Sequence, residues 1–331
     1  MKRYYPLSVA LVLLISFIVS ITAALSVLTT FTSPDEEPHL IRLTESGVKN
    51  INVSFVIYDF VRFDTRTNKF VFDGVVRFEA PKEIDEAIIE AFNFERSEIK
   101  HKELIEKTSL DDQNIYRYQV RADISFPLNY TWYPFDDHTL YMTLINRKLS
   151  VDKYVFNIEE NQFTVTADAV ADEWSLRGTT VSAGGKQWLT TAHHENKISP
   201  AIVFGIEYYR TGYSGLISIL FPLLVLFYIA LFCLAIDGMA NYEAVAQSSL
   251  ANVAGLIAYR FVIDTVSPVT SYLKLSDYFF IITLTACLII TFINLFSPWY
   301  KISMRARMII IIAMTLYITG SFVALLLYVM H

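Results

Sequence analysis

The stretch Tyr242–Thr265, YEAVAQSSLANVAGLIAYRFVIDT, decides how the rest of the chain is read. It is long enough to cross a bilayer at about 1.5 Å per residue. Yet it carries Glu243, Gln247, Ser248, Ser249, Asn252 and Arg260 among small residues. Polar groups at membrane depth are costly unless they face a bundle interior or water. Three more apolar stretches accompany it, Tyr213–Ala235, Tyr278–Phe296 and Met308–Met330. Residues 211–331 therefore read as a four-helix membrane domain in which one helix carries a polar line.

Charge sets the direction of these helices. Lys301, Arg305 and Arg307 precede the last stretch, whereas the loop after the polar helix offers only Lys274. The positive-inside rule places the basic loop in the cytoplasm, so the residues before Tyr213 lie outside. The start of the chain agrees. Met1-Lys2-Arg3 precedes an apolar run from Leu7 to Leu28, so residues 1–30 read either as a signal peptide, with Ala24-Leu25-Ser26 near its cleavage point, or as an uncleaved anchor. The expected location is the cell (inner) membrane, multi-pass, with the preceding domain outside the cytoplasm.

That domain, residues 31–210, reads as β structure. INVSFVIYDFVRFD and KFVFDGVVRFEA cluster β-branched and aromatic residues around a turn at Asp64-Thr65-Arg66-Thr67-Asn68. Further strands are expected at Tyr116–Phe126, Thr139–Ile145, Tyr154–Ile158, Phe163–Ala167, Glu173–Gly178 and Ile202–Tyr209, with Ala80–Phe92 a short helix, an edge strand or a loop. Many short strands with turns between them predict a sandwich. Val181–Ile198, with Gly184-Gly185, Lys186 and His193-His194, reads as an exposed loop. The domain holds 29 of the 33 acidic residues against 20 of the 27 basic ones, a formal charge of about −9 that favours cations and argues against nucleic acid. Cys233 and Cys287 both fall in membrane stretches, so no disulfide is expected in the exported domain.

No hydrolase, zinc-protease, nucleotide-loop or dinucleotide motif is present. His193-His194-Glu195 suits a solvated loop better than a metal, and Asp136-Asp137-His138 suits a turn or a structural ion pair better than catalysis. The expectation is a protein that is not an enzyme, with no cofactor and no metal.

The segment from Phe126 to Leu140, FPLNYTWYPFDDHTL, resembles the signature loop of the pentameric ligand-gated ion channels. Its core there is an aromatic, a proline, a further residue and an aspartate, here Tyr133-Pro134-Phe135-Asp136, followed by Thr139-Leu140. Animal members close this loop with two cysteines; their absence here resembles the prokaryotic branch. The likeness continues in order: Asp64–Asn68, Glu173-Trp174-Ser175-Leu176, Ile206-Glu207-Tyr208-Tyr209-Arg210, Pro222, Tyr242-Glu243-Ala244, then Pro268, Ser271-Tyr272 and Asp277-Tyr278. It spans residues 45–330.

The resemblance implies an immunoglobulin-like β-sandwich followed by a four-helix transmembrane bundle, in a homopentameric ring of five identical copies. It implies a channel opened from outside by a small-molecule or proton agonist, with lipid around it; the Glu243 ring described below makes it cation-selective, with monovalent cations permeating. A non-conducting membrane receptor or binding module on the same scaffold is the rival. Stepping by three or four from Glu243 gives the pore-lining line Glu243, Gln247, Ala251 (or Leu250), Ala254, Ala258 and Phe261. A ring of Glu243 carboxylates favours cations. Arg260, beside that line, is expected to pair with Asp264 one turn on. Asp136 and Asp64 are expected to flank Arg210, with Pro268 and Tyr272 next in the coupling path. Trp174 and Trp188 are the candidate ligand contacts, Trp174 being equally a core residue. His138, His193 and His194 supply groups that titrate near neutrality.

Overall fold

Several strands, Lys49–Asp64, Lys69–Pro81 and Gln113–Ser125 among them, alternate apolar and polar residues with period two and bury one face. In the computed structural model, which describes residues 35–43, 47–110, 112–166, 174–189, 196–211, 214–236, 242–300 and 302–330, ten strands make up most of the first part. They are β1 (Lys49–Asp64), β2 (Lys69–Pro81), β3 (Phe92–Phe94), β4 (Ser97–Leu110), β5 (Gln113–Ser125), β6 (His138–Asn146), β7 (Tyr154–Asn157), β8 (Phe163–Val165), β9 (Trp174–Leu189) and β10 (Asn196–Arg210). The segment 1–30 and His193-His194-Glu195 lie outside the described residues.

One sheet runs β4-β5-β2-β1-β7, with β8 pairing further along β1; the other runs β3-β6-β10-β9. Aromatic side chains from the two sheets meet between them. Phe55 of β1 lies 5.0 Å from Phe204 of β10, Phe163 of β8 lies 4.9 Å from Phe204, and Phe63 lies 4.9 Å from Tyr208. These ring pairs, tilted or edge-to-face, fill the core of two facing sheets. The turn after β1 is tied by Asp64, whose carboxylate accepts from the Thr67 hydroxyl at 2.8 Å and from the amides of Arg66 and Thr67. Asn68 closes the turn at φ 55°, a left-handed position that Asn tolerates.

One strand goes unread in the sequence, and one expectation is corrected. Ser97–Leu110, SEIKHKELIEKTSL, is a fourteen-residue strand at a sheet edge, although its charges gave no strand signal. Ile99, Lys102 and Leu104 lie on its half-covered side, but register shifts at Ile99/His101 and Leu104/Glu106 break the period that would announce it. Val181–Ile198 is not a loop throughout, since β9 runs on to Leu189 and pairs in register with β10 from Asn196. Gly184 and Gly185 serve close packing there. Ile41 and Gly185 exchange two backbone hydrogen bonds of 2.8 Å, and a Cβ on Gly184 would lie 2.7 Å from the Ile41 carbonyl oxygen. Ala80–Phe92 contains one short helix, α1 (Glu86–Ile89).

The second part holds α2 (Ser214–Ala235), α3 (Tyr242–Val266), α4 (Leu275–Tyr300) and α5 (Met304–Met330), all long and apolar enough to cross a membrane. The chain is thus a two-sheet β domain followed by a bundle of four long apolar helices. Pro222 inside α2 has no N–H to give the carbonyl four residues back. The Tyr259 hydroxyl of α3 donates to that carbonyl, Ser218. At the other end of α2, Arg307 donates to the Ile236 carbonyl at 2.5 Å, a cation at a helix C-terminus. By internal packing, Tyr130–Asp136 belongs with the helices, while Pro34–Asn129 and Asp137–Thr211 form the strand unit.

Candidate functional site

Helix α3 buries Val245, Ser249, Asn252, Leu256 and Ile263. At about 100° per residue these share one face, and Glu243, Ala254 and Phe261 point about 180° away from it. Every residue of the sequence-derived line is exposed in the single chain: Glu243, Gln247, Ala251, Ala254, Ala258 and Phe261, the last 71% exposed. Leu250 is exposed too, 54%, and flanks the line opposite Ala251. The Gln247 amide reaches the Glu243 carboxylate at 3.5 Å. The helix thus has a polar and small-residue face that its own bundle leaves uncovered.

Arg260 turns away from that face. It pairs with Asp264 at 2.9 Å, as the spacing predicts, and also with Asp277 of α4 at 2.5 Å. The second partner is 17 residues away in sequence and nearly buried. Asp277 has a further role, because its other oxygen accepts the Lys274 amide at 2.8 Å. That is the reach from the third helical position back to the N-cap. The Lys274 ammonium donates to Ser267 Oγ at 2.8 Å and to the Pro268 carbonyl at 2.7 Å. Burial pushes the Lys274 pKa down, with Asp277 opposing, Arg260 reinforcing and Asp264 opposing again.

The loop Tyr130–Asp136 packs on the same end of α4. The amides of Leu275 and Ser276, which open α4 and have no partner within it, donate to the carbonyls of Thr131 at 2.9 Å and Tyr133 at 3.1 Å. The Tyr133 hydroxyl donates to the last residue of α3, Val266, at 3.0 Å, and the Tyr130 amide donates to the Tyr272 hydroxyl at 2.9 Å. Phe135 meets Phe279 at 6.5 Å. Among the expected coupling residues, Tyr272, Pro268 and Asp136 therefore belong to the helix unit, with Asp136 fully buried.

Arg210 and Asp64 belong to the strand unit. The Arg210 amide donates to the Asp137 carboxylate at 3.4 Å, and its guanidinium lies 4.4 Å over the Trp174 ring. Asp64, expected beside Arg210, instead pairs with Arg62 at 2.8 Å and with its own turn. The turn offers three donors within three residues, and that local set wins. Burial pushes the Asp64 carboxyl up, but the bonds from Arg62 and from the Thr67 side chain and backbone outweigh it and leave it below the usual value.

The two tryptophans separate. Trp174 is buried, 5.4 Å from His138 and 6.2 Å from Phe63, and packs in the core. Trp188 sits half-exposed on β9, its indole N–H donating to Ser199 at 3.0 Å and Arg147 5.3 Å over its ring. His138 and Asp137 have structural roles, as the sequence suggests. His138 faces the buried Asp35 at 3.3 Å, and Asp137 pairs with Arg177 at 2.8 Å. Asp35 itself, missed in the sequence, also accepts the amides of Asn129 and Thr139 at 2.7 Å. Nothing local marks it, since its partners lie about a hundred residues on. Among the described residues no cluster of three metal-binding side chains occurs. No family model and no curated protein matches the chain.

Proposed function

We propose that this chain is one subunit of a homopentameric, cation-selective channel of the prokaryotic pentameric ligand-gated type. It opens in response to a small molecule or protons outside the cell, and works without a chemical step or a cofactor. The supporting observation is the uncovered face of α3. A carboxylate and an amide there would be costly against lipid. Cyclic copies place this face around a shared axis, where water and ions meet it. Five Glu243 carboxylates at the inner mouth attract cations, Gln247 replaces part of their hydration, and Ala254, Ala258 and Phe261 form an apolar section that gates by dewetting. Arg260, held by Asp264 and Asp277, adds no positive charge to that line. The two facing sheets are the immunoglobulin-like sandwich of such a subunit, and of the two candidate tryptophans Trp188 is the one left accessible for a ligand.

The test is voltage clamp under a sodium chloride gradient in cells expressing the chain, with external pH stepped from about 8 to about 4. The expected current reverses near the sodium potential, and Glu243→Lys moves the reversal toward chloride. Native mass spectrometry of the purified protein should show five copies. A monomer that carries no current at any pH, with surface expression confirmed, would sink the proposal.

A further inference from the structure

Behind its uncovered face, α3 buries two polar side chains one turn apart, Ser249 and Asn252. Ser249 accepts from the Asn294 amide of α4 at 2.9 Å. The contacts Ser249–Asn294 and Arg260–Asp277 show that the two helices run antiparallel. Asn252 lies one turn outward from Ser249, and Thr291 one turn outward from Asn294, so the two share a level. The Cys287 thiol, a further turn along α4, lies beside Asn252.

Asn252 and Thr291 are each only 5% exposed. Apart from the Cys287 thiol beside it, the Asn252 amide has no hydrogen-bond partner in the chain, and the Thr291 hydroxyl has none. Thr283 and Thr285 of the same helix behave differently, each donating to the carbonyl four residues back at 2.8 Å. Buried amides and hydroxyls are almost always partnered, most of all at membrane depth. The groups at this level are neutral, an amide, a hydroxyl and a thiol, which suits a neutral donor–acceptor molecule and not an ion. They supply the two to four polar partners that an internal water requires.

We propose that Asn252, Thr291 and Cys287 form an internal hydration site holding one or two water molecules between α3 and α4. Water accepts from the Asn252 Nδ2–H and donates to Thr291 Oγ1, with a further proton for the cysteine sulfur. A wet contact of this kind lets α3 rotate against α4 while its polar groups stay bonded.

The test compares thermal midpoints of the full chain in detergent for Thr291→Val, Asn252→Leu and the pair. A hydrated bridge predicts a fall of about 2–4 °C for either single change and a double variant that loses less than the sum. Thr291→Ser should match the parent. A rise in either single variant would overturn the site, since it would mark an orphan group whose removal relieves a penalty. Water-edited solid-state NMR of the parent in bilayers gives a readout independent of variant folding. Polarisation should pass from water to the Asn252 side-chain amide, and no transfer would refute the site.

Discussion

Asp277→Asn tests the cluster that holds the C-terminal end of the polar helix. The asparagine keeps the size of the side chain and an oxygen for one hydrogen bond, but loses the charge that faces Arg260 at 2.5 Å. Removing one partner of a buried pair costs about 3–5 kcal/mol. The Arg260 side chain is 32% exposed and keeps Asp264 at 2.9 Å, which lowers the expected loss to about 2 kcal/mol. At roughly 2–4 °C per kcal/mol the midpoint falls by about 4–8 °C. Asp264→Asn is the control, because its carboxylate is 50% exposed and such pairs contribute about 0–1 kcal/mol. The assay is a tryptophan-fluorescence melt in detergent. Equal losses for the two variants, or a gain for Asp277→Asn, would refute the assignment of burial as the deciding difference.

Tyr259→Phe removes the donor that serves the Ser218 carbonyl freed by Pro222. A loss of about 1–3 kcal/mol is expected, read as a lower melting midpoint; an unchanged midpoint would show that the carbonyl finds another donor. Asp64 has a folded pKa below its ordinary value, so its contribution is complete above about pH 4 and is lost as pH falls through the folded value. Melts of the parent should therefore decline on acidification by more than those of Asp64→Asn, and parallel curves would refute this.

The polar line on α3 was legible because helix period and the cost of polar groups in lipid are both local properties of Tyr242–Thr265. The alternating strands around Asp64–Asn68 were legible for the same reason. Ser97–Leu110 was not, since register shifts at Ile99/His101 and Leu104/Glu106 break the period of its half-covered side. The Gly184-Gly185 pair misled because glycine marks loops in general, and its use here depends on Ile41, more than a hundred residues earlier. Arg260 shows the limit within one side chain: Asp264 follows from helix spacing, whereas Asp277 depends on how two helices dock. Trp174 could be read either way until its neighbours Phe63 and His138 were known.

The two carbonyls that Thr131 and Tyr133 lend to the start of α4 make ownership of that helix end a matter of chain history. The ribosome delivers those carbonyls long before it delivers Leu275 and Ser276. The receptor for the incoming helix is therefore made before the helix itself. A fragment cut at Gly212 would inherit all four long helices yet leave those two amides without their acceptors. The membrane half of this protein cannot be inherited whole by taking the end of its gene.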